Sequence, residues 1–248
     1  MTLWQPLRDE LARWRDAGRT ASLWLRDDDA VAPTPALDRF AGLGRDHGVP
    51  VALAIIPART GPALADRLAG EELIHPVIHG WSHANHAPAS EKKQELGLHR
   101  PRDAVLGDLT NGLARLRRFY GDRLTPMLVP PWNRIDPSLL DDLPALGFAA
   151  LSAFGHKLGS LPGLIVVNTH IDIVDSRAGN RCRDHDVLIA ELVQELREAR
   201  VAGDGRPVGV LSHHLVSDED AFRFLADLFA VTALSSAVLW RTPGELLG

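Results

Sequence analysis

A single cysteine, Cys182, occurs in 248 residues. That excludes an internal disulfide framework, and nothing in the chain calls for an oxidising compartment. Long apolar runs are missing as well: none approaches the ~20 residues a helix needs to cross a bilayer. The amino-terminal segment interrupts its apolar residues with Arg8, Asp9, Glu10, Arg13, Arg15 and Asp16, which is not the pattern of a signal peptide. Positive charge is in deficit, with 27 Lys and Arg against 32 Asp and Glu and a formal net charge of −5. Such a balance offers no electrostatic footing for nucleic acid or an anionic membrane. These absences predict a cytoplasmic protein with no nucleic-acid or membrane partner, and leave homo-oligomer formation open.

What is present is an ordinary globular composition, 45% hydrophobic and 24% charged, enough to bury a substantial core. Trp4, Leu7, Leu11 and Trp14 recur at helical spacing over residues 4–17. Apolar runs at 21–25, 51–56, 72–80, 126–130, 148–154, 164–172 and 207–214 read as buried strands, with 237–240 as a short last one. Helical segments at 35–48, 61–70, 101–120, 136–146, 184–200 and 218–231 fall between them. The first of these is bounded by Thr34 and Gly48. Nearly continuous apolar strands separated by helices indicate a parallel sheet covered on its faces. Seven or eight such units favour a distorted (β/α) barrel with about seven parallel strands. No repeat or linker divides the chain, so residues 1–248 read as a single domain.

Polar clusters sit where strands end, the place where barrel loops converge. The first strand ends in Asp27, Asp28 and Asp29, the third in His79, Trp81, Ser82, His83, Asn85 and His86. The 164–172 run ends near His170 and Asp172, and the 207–214 run in Ser212, His213 and His214. His79 and His83, four apart, can aim both rings at one point, and with a carboxylate they make a metal set with open positions. A lone pair of this spacing is, by contrast, often no more than two surface histidines. Three successive carboxylates repel unless a cation or an arginine such as Arg26 offsets them. Alternation along an extended segment predicts Asp27 and Asp29 on one side and Asp28 on the other.

These residues resemble the motifs of the polysaccharide deacetylase family, which includes chitin and peptidoglycan deacetylases. Leu25-Arg26-Asp27-Asp28-Asp29 is similar to the first motif, Thr-Phe-Asp-Asp-Gly. His79-Gly80-Trp81-Ser82-His83 matches the second, His-Thr-Trp-Ser-His. Val129-Pro130-Pro131-Trp132 resembles the third, Arg-Pro-Pro-Tyr, without its arginine, for which Arg26 or Arg134 are the candidates to substitute. Asp172-Ile173-Val174-Asp175-Ser176 echoes the fourth, Asp-x-x-Asp-Trp, without its tryptophan, and Leu211-Ser212-His213 keeps the fifth, Leu-x-His.

The resemblance implies a polysaccharide deacetylase-like catalytic domain that removes an acetyl group from an N-acylated sugar. It implies a divalent metal, zinc in the usual case, on Asp28, His79 and His83, with Asp27 as general base and His213 as general acid. Trp81, Trp132, Pro131, Asn85 and His86 are the candidates for substrate contact. Trp4, Trp14, Trp24 and Trp240 are assigned to packing, Cys182 to a buried thiol, His214 to closing its strand end, and the tract Glu91–Glu95 to a solvated face. Two alternatives stand beside this expectation: an amide hydrolase for a non-sugar substrate such as a cyclic ureide or imide, and a non-catalytic carbohydrate-binding relative.

Overall fold

The computed structural model describes residues 2–156, 158–159, 161–175 and 179–248. Eleven strands and six α-helices are formed among them, as helix α1 (Gln5–Asp16), strand β1 (Ala21–Ala30), α2 (Pro35–His47), β2 (Val51–Ile55), α3 (Pro62–Leu68) and β3 (Ile74–His79). Then come α4 (Arg102–Tyr120), β4 (Met127–Val129), β5 (Ala150–Leu151), β6 (Ile165–Val166), β7 (Ile171–Asp172), β8 (Val174–Asp175) and β9 (Arg181–Cys182). Helix α5 (His185–Ala202), β10 (Val208–Ser212), α6 (Glu219–Ala233) and β11 (Val238–Trp240) complete the chain. Helix α2 begins where Thr34 Oγ1 accepts from the Leu37 amide and ends at left-handed Gly48, φ 66°, the capping pattern that its sequence advertises. Residues 136–146 differ from expectation: only a 3₁₀ helix over Pro137–Asp142 forms there.

Nine strands make one sheet in the order β6-β5-β4-β3-β2-β1-β10-β7, with β11 also paired to β1. All of these pairings are parallel. The run 164–172, expected as one strand, is two short ones at opposite edges of the sheet. Ile165–Val166 pairs with β5 and Ile171–Asp172 with β10, so one extended segment reaches from edge to edge and curls the sheet into a distorted barrel. Its intervening residues bond to both sides, Thr169 N to Ala153 O at 3.0 Å and His170 N to Gly209 O at 2.7 Å. No helix among the described residues is long and apolar enough to cross a membrane.

Strand alternation sorts the core into two layers. Leu23, Leu25, Val51, Leu53, Ile55, Ile78, Leu128 and Val210 pack outward with the helices. Trp24, Ala52, Ala54, Val77, Met127, Val129 and Ala150 pack in a separate inner cluster. Small residues leave the inner layer just enough room for Trp24. At Gly209 an added Cβ would lie 2.4 Å from Trp24 Nε1 and 2.8 Å from Asn168 O, so only glycine fits beneath the indole. Each large side chain buried in this way contributes roughly 1.5–3 kcal/mol. The layering matters for function, because it decides which residues at a strand's end open into the barrel mouth and which lie under the helices.

Candidate active site

The inner face of β1 continues from Trp24 to Arg26 and Asp28. Arg26 is fully buried, and its Nη2 donates to Asp28 Oδ2 at 3.0 Å while Nε lies 2.9 Å from Oδ1. Nη1 donates to Ser152 Oγ at 2.7 Å and to the carbonyls of Ser152 and Ala153, and Nη2 also reaches Asn133 Oδ1 at 2.6 Å. A buried charge pair is tolerable only when its remaining donors are satisfied, and here the guanidinium is held from several sides. Of the two candidates for the missing third-motif arginine, Arg26 contacts an acid of the first motif, whereas Arg134 donates to the Lys93 carbonyl at 2.8 Å.

Asp27 faces the other way, into the helix-facing layer. Its carboxylate accepts from Ser212 Oγ at 2.7 Å, from the His214 amide at 2.8 Å and from His214 Nδ1, and it is completely buried. This corrects the expectation that Asp27 stands at the reacting centre, because alternation turns it away from the barrel mouth.

Asp29 does not follow Asp27 to that outer side. Its φ is 74°, and the register between β1 and β2 shifts between Asp27 and Ala30. The left-handed residue turns the carboxylate inward, placing Oδ1 3.1 Å from His79 Nε2 and 3.2 Å from His83 Nε2. Ligand atoms of Asp29, His79 and His83 lie within 4.8 Å of one another. The carboxylate gathered with the two histidines is therefore Asp29, and Asp28, expected in that place, is committed to Arg26.

His79 ends β3, and its Nδ1 donates to the Val129 carbonyl at 2.9 Å. A carbonyl can only accept, so Nδ1 keeps its proton, and Nε2, which donates to Asp29 Oδ1, is the nitrogen an ion would take in place of that second proton. The chain then turns through Gly80, φ 57°, where a Cβ would lie 2.2 Å from Glu95 Oε2 and 2.6 Å from Pro131 Cδ. Glu95, completely buried, accepts from the amides of Trp81 (3.1 Å), Ser82 (2.8 Å) and Ala84 (3.4 Å), and from Ser82 Oγ (2.8 Å). One carboxylate thus gathers the amides of the loop that presents His83. Glu95 was expected on a solvated face, and its charge-rich surroundings carry no signal of this role.

After β4 the chain makes a second tight feature, with Trp132 and Asn133 both left-handed at φ 54° and 57°. Such conformations persist only where surrounding contacts enforce them; here Asn133 is tied to Arg26, and the Trp132 ring lies 4.3 Å from that of His83. A cleft of about 330 Å³ opens here, lined by Asp28, Asp29, His79, His83, Trp132 and Asn133 together with Asp172, Asn180 and His213. Among the expected substrate residues only Trp132 lines it. Pro131 is buried against Gly80, and Trp81 is tied to Glu95 and to the Ala58 amide. The Asn85 side chain is committed to Ala87 and Gln94, and His86 is exposed on the same loop. Ser176 of the fourth motif lies outside the described residues.

The electrostatics suit a cation. Burial alone would raise the Asp29 carboxyl, but the hydrogen bond and charge of His79, with His83 and His213 beyond, hold it far below the usual carboxylate range. Burial works against a charge on His79, yet Asp28 and Asp29 outweigh it and push the imidazole up. His83 is pushed down, by burial and by neighbouring His79. Asp172, which also lines the cleft, is raised chiefly by burial. An anionic oxygen and two imidazole nitrogens converging beside an open cleft fit a divalent ion with further positions free.

A second cluster, His156, His170 and Glu195, also brings its ligand atoms within 4.8 Å. There, however, His170 Nδ1 accepts from the Gly209 amide at 3.0 Å, which puts the ring proton on Nε2. His156 Nε2 meets Glu195 Oε1 at 3.0 Å, and the arrangement is a hydrogen-bonded group rather than a ligand set.

The barrel is that of the polysaccharide deacetylase fold. Solved structures similar to it include a Mycobacterium smegmatis protein classed as a polysaccharide deacetylase (TM-score 0.70, 15% identity, 93% of this chain and 90% of that one). A chitin deacetylase from the fungal pathogen Colletotrichum lindemuthianum matches at TM-score 0.56 and 16% identity, over 93% of this chain and 88% of that one. A family 4 acetyl xylan esterase from Clostridium thermocellum, in complex with a cobalt ion, matches at TM-score 0.53 and 16% identity over 91% and 89%. No family model matches the chain, and no curated relative matches its sequence.

Proposed function

We propose that this protein is a metal-dependent hydrolase that removes an acetyl group from an N-acylated sugar. The observation that carries the proposal is the convergence of Asp29, His79 and His83 at a cleft that Asp28 and His213 also line. Asp29, His79 and His83 would hold the ion, with zinc the ordinary choice for one carboxylate and two imidazoles. When bound, such an ion supplies Lewis acidity toward water and toward an acyl carbonyl.

The chain's own residues divide the remaining work. Asp28 is the general base, and Arg26 fixes the orientation of its carboxylate. His213 is the general acid that protonates the departing amine, as amide cleavage requires. Trp132 forms a flat wall beside His83, suited to the apolar CH face of a sugar ring. The carbohydrate preference is drawn from the acetylated-sugar chemistry named for the chitin deacetylase and the acetyl xylan esterase of the same fold.

The test is metal analysis of the purified protein followed by acetate release from N-acetylglucosamine oligomers, with small cyclic imides and ureides run alongside. Metal at one equivalent with acetate release is the expected result. Turnover of the imides alone would move the substrate class while leaving the roles of the residues intact. A metal-free protein inert toward every substrate would end the proposal.

A further inference from the structure

The upper rungs of the β1–β10 pair change character abruptly. Leu23 pairs with Val208 and Leu25 with Val210, but Asp27 pairs with Ser212, so a carboxylate stands where the outward-facing pattern calls for an apolar residue. Burying it is expensive unless every lone pair is used, and Asp27 uses them on residues 212 and 214. Ser212 Oγ donates to it at 2.7 Å, the His214 amide at 2.8 Å, and His214 Nδ1 completes the set. The His214 ring lies against Phe40, with centroids 6.1 Å apart, and its buried Nε2 has no hydrogen-bond partner among the described residues. An apolar pair would seal this place more cheaply.

The residue between the two anchored positions is His213. Alternation sends it inward to the cleft while its neighbours face outward. Its carbonyl accepts from the amides of Val216 and Ser217 at 3.0 and 3.1 Å and from Ser217 Oγ at 3.0 Å. Its own Nδ1 is buried without a hydrogen-bond partner among the described residues. The ring is therefore oriented through its backbone rather than by a carboxylate on its far nitrogen, the usual arrangement for a catalytic imidazole.

We propose that the Asp27–Ser212–His214 couple is the positioning device for His213, clamping the backbone on both sides of the general acid from behind the sheet. This rests on the hydrolase reading above. Neither Asp27 nor His214 touches substrate; they act through His213, and misplacing an acid by a fraction of an ångström is enough to lower the rate.

The test compares Asp27→Asn, His214→Leu and His214→Asn, the last keeping a side-chain N–H where Nδ1 now donates. Each is assayed on an N-acetyl amide substrate and on an aryl acetate, whose phenolate leaves without being protonated, and each is titrated with zinc by calorimetry. In His214→Leu and Asp27→Asn, kcat for the amide should fall about 10- to 100-fold, a fraction of what a proton-transfer group contributes. KM, zinc affinity and aryl acetate turnover should stay within about threefold, and His214→Asn should recover most of the amide rate. Equal loss on amide and ester, or wild-type rates in all three variants, overturns the inference alone. Should His214→Leu fail to fold, Asp27→Asn and His214→Asn decide the matter by the same comparison. A wild-type protein inert toward both substrates overturns the hydrolase reading and this inference together.

Discussion

Two clusters in this molecule hold the same ingredients, two imidazoles and a carboxylate, and only one is wired to accept a cation. At Asp29, His79 and His83 the Val129 carbonyl accepts from Nδ1 of His79, so Nε2, hydrogen-bonded to Asp29, is the nitrogen that can give up its proton to an ion. At His156, His170 and Glu195 the Gly209 amide donates to Nδ1 of His170, and the proton is forced onto Nε2. A backbone carbonyl in one case and a backbone amide in the other decide the tautomer, and the tautomer decides whether a ligand exists. Proximity of donor atoms is thus a weaker criterion than the bond on the far nitrogen.

The sharpest way to break this comparison is to titrate zinc into variants of both clusters. His83→Ala and Asp29→Asn should each abolish tight binding, a loss of two orders of magnitude or more in affinity, and with it the activity. His170→Ala and Glu195→Ala should leave stoichiometry and affinity as in the wild type. Zinc retained at one equivalent in His83→Ala, or lost in Glu195→Ala, would show that the wrong cluster has been chosen.

Within the first cluster the neighbouring acids separate by role. Asp28→Asn should keep its zinc and lose about 10²- to 10⁴-fold in kcat, as expected for a general base. If Asp28→Asn instead loses its zinc while Asp29→Asn keeps it, the assignment suggested by the sequence motif returns.

That one-residue difference shows how much was legible before folding. The parallel α/β architecture was written in alternating apolar runs, and Thr34 and Gly48 marked the ends of α2 accurately. His79 and His83 were legible because the spacing and the intervening Gly-Trp-Ser are distinctive. The acid was not, since strand alternation predicts Asp29 beside Asp27, and only the left-handed turn at Asp29 moves it inward. Arg26 was one of two candidates that sequence could not separate, because its partners Ser152 and Asn133 lie more than a hundred residues away. Glu95 was illegible for a different reason: its four donors lie in the loop just before it, and no local pattern announces that they converge on it.

The Glu95 contacts suggest an intermediate effect. Gly80→Ala places a Cβ against both the Glu95 carboxylate and the Pro131 ring in a left-handed conformation, so it should destabilise the fold by about 2–4 kcal/mol. Gly18→Ala, equally left-handed at φ 65° but with nothing within 4 Å, should be destabilised by only about 1 kcal/mol. Denaturant melts of the two variants measure the difference. Equal midpoints would mean that the Glu95 loop gives way without resistance.

The smallest effect concerns the second cluster and the pH dependence of stability. Burial pushes His170 down to about 4, with His156 and Arg206 adding to the shift and Glu195 opposing it. The folded state therefore prefers the neutral ring, while an unfolded chain titrates near the ordinary value of ~6.5. Between those two values the unfolded state binds more protons, so stability falls as pH drops from about 6.5 toward 4 and is constant with respect to this group above that window. The sign agrees with the wiring, since protonating Nδ1 would turn an acceptor of the Gly209 amide into a donor aimed at a donor. His170→Gln, whose amide oxygen can still accept from Gly209, should flatten this part of the stability profile while leaving the melting temperature at pH 8 within a few degrees. An unchanged slope between pH 6.5 and 4 would mean that His170 is already protonated in the folded protein, and the contrast between the two clusters would lose its basis.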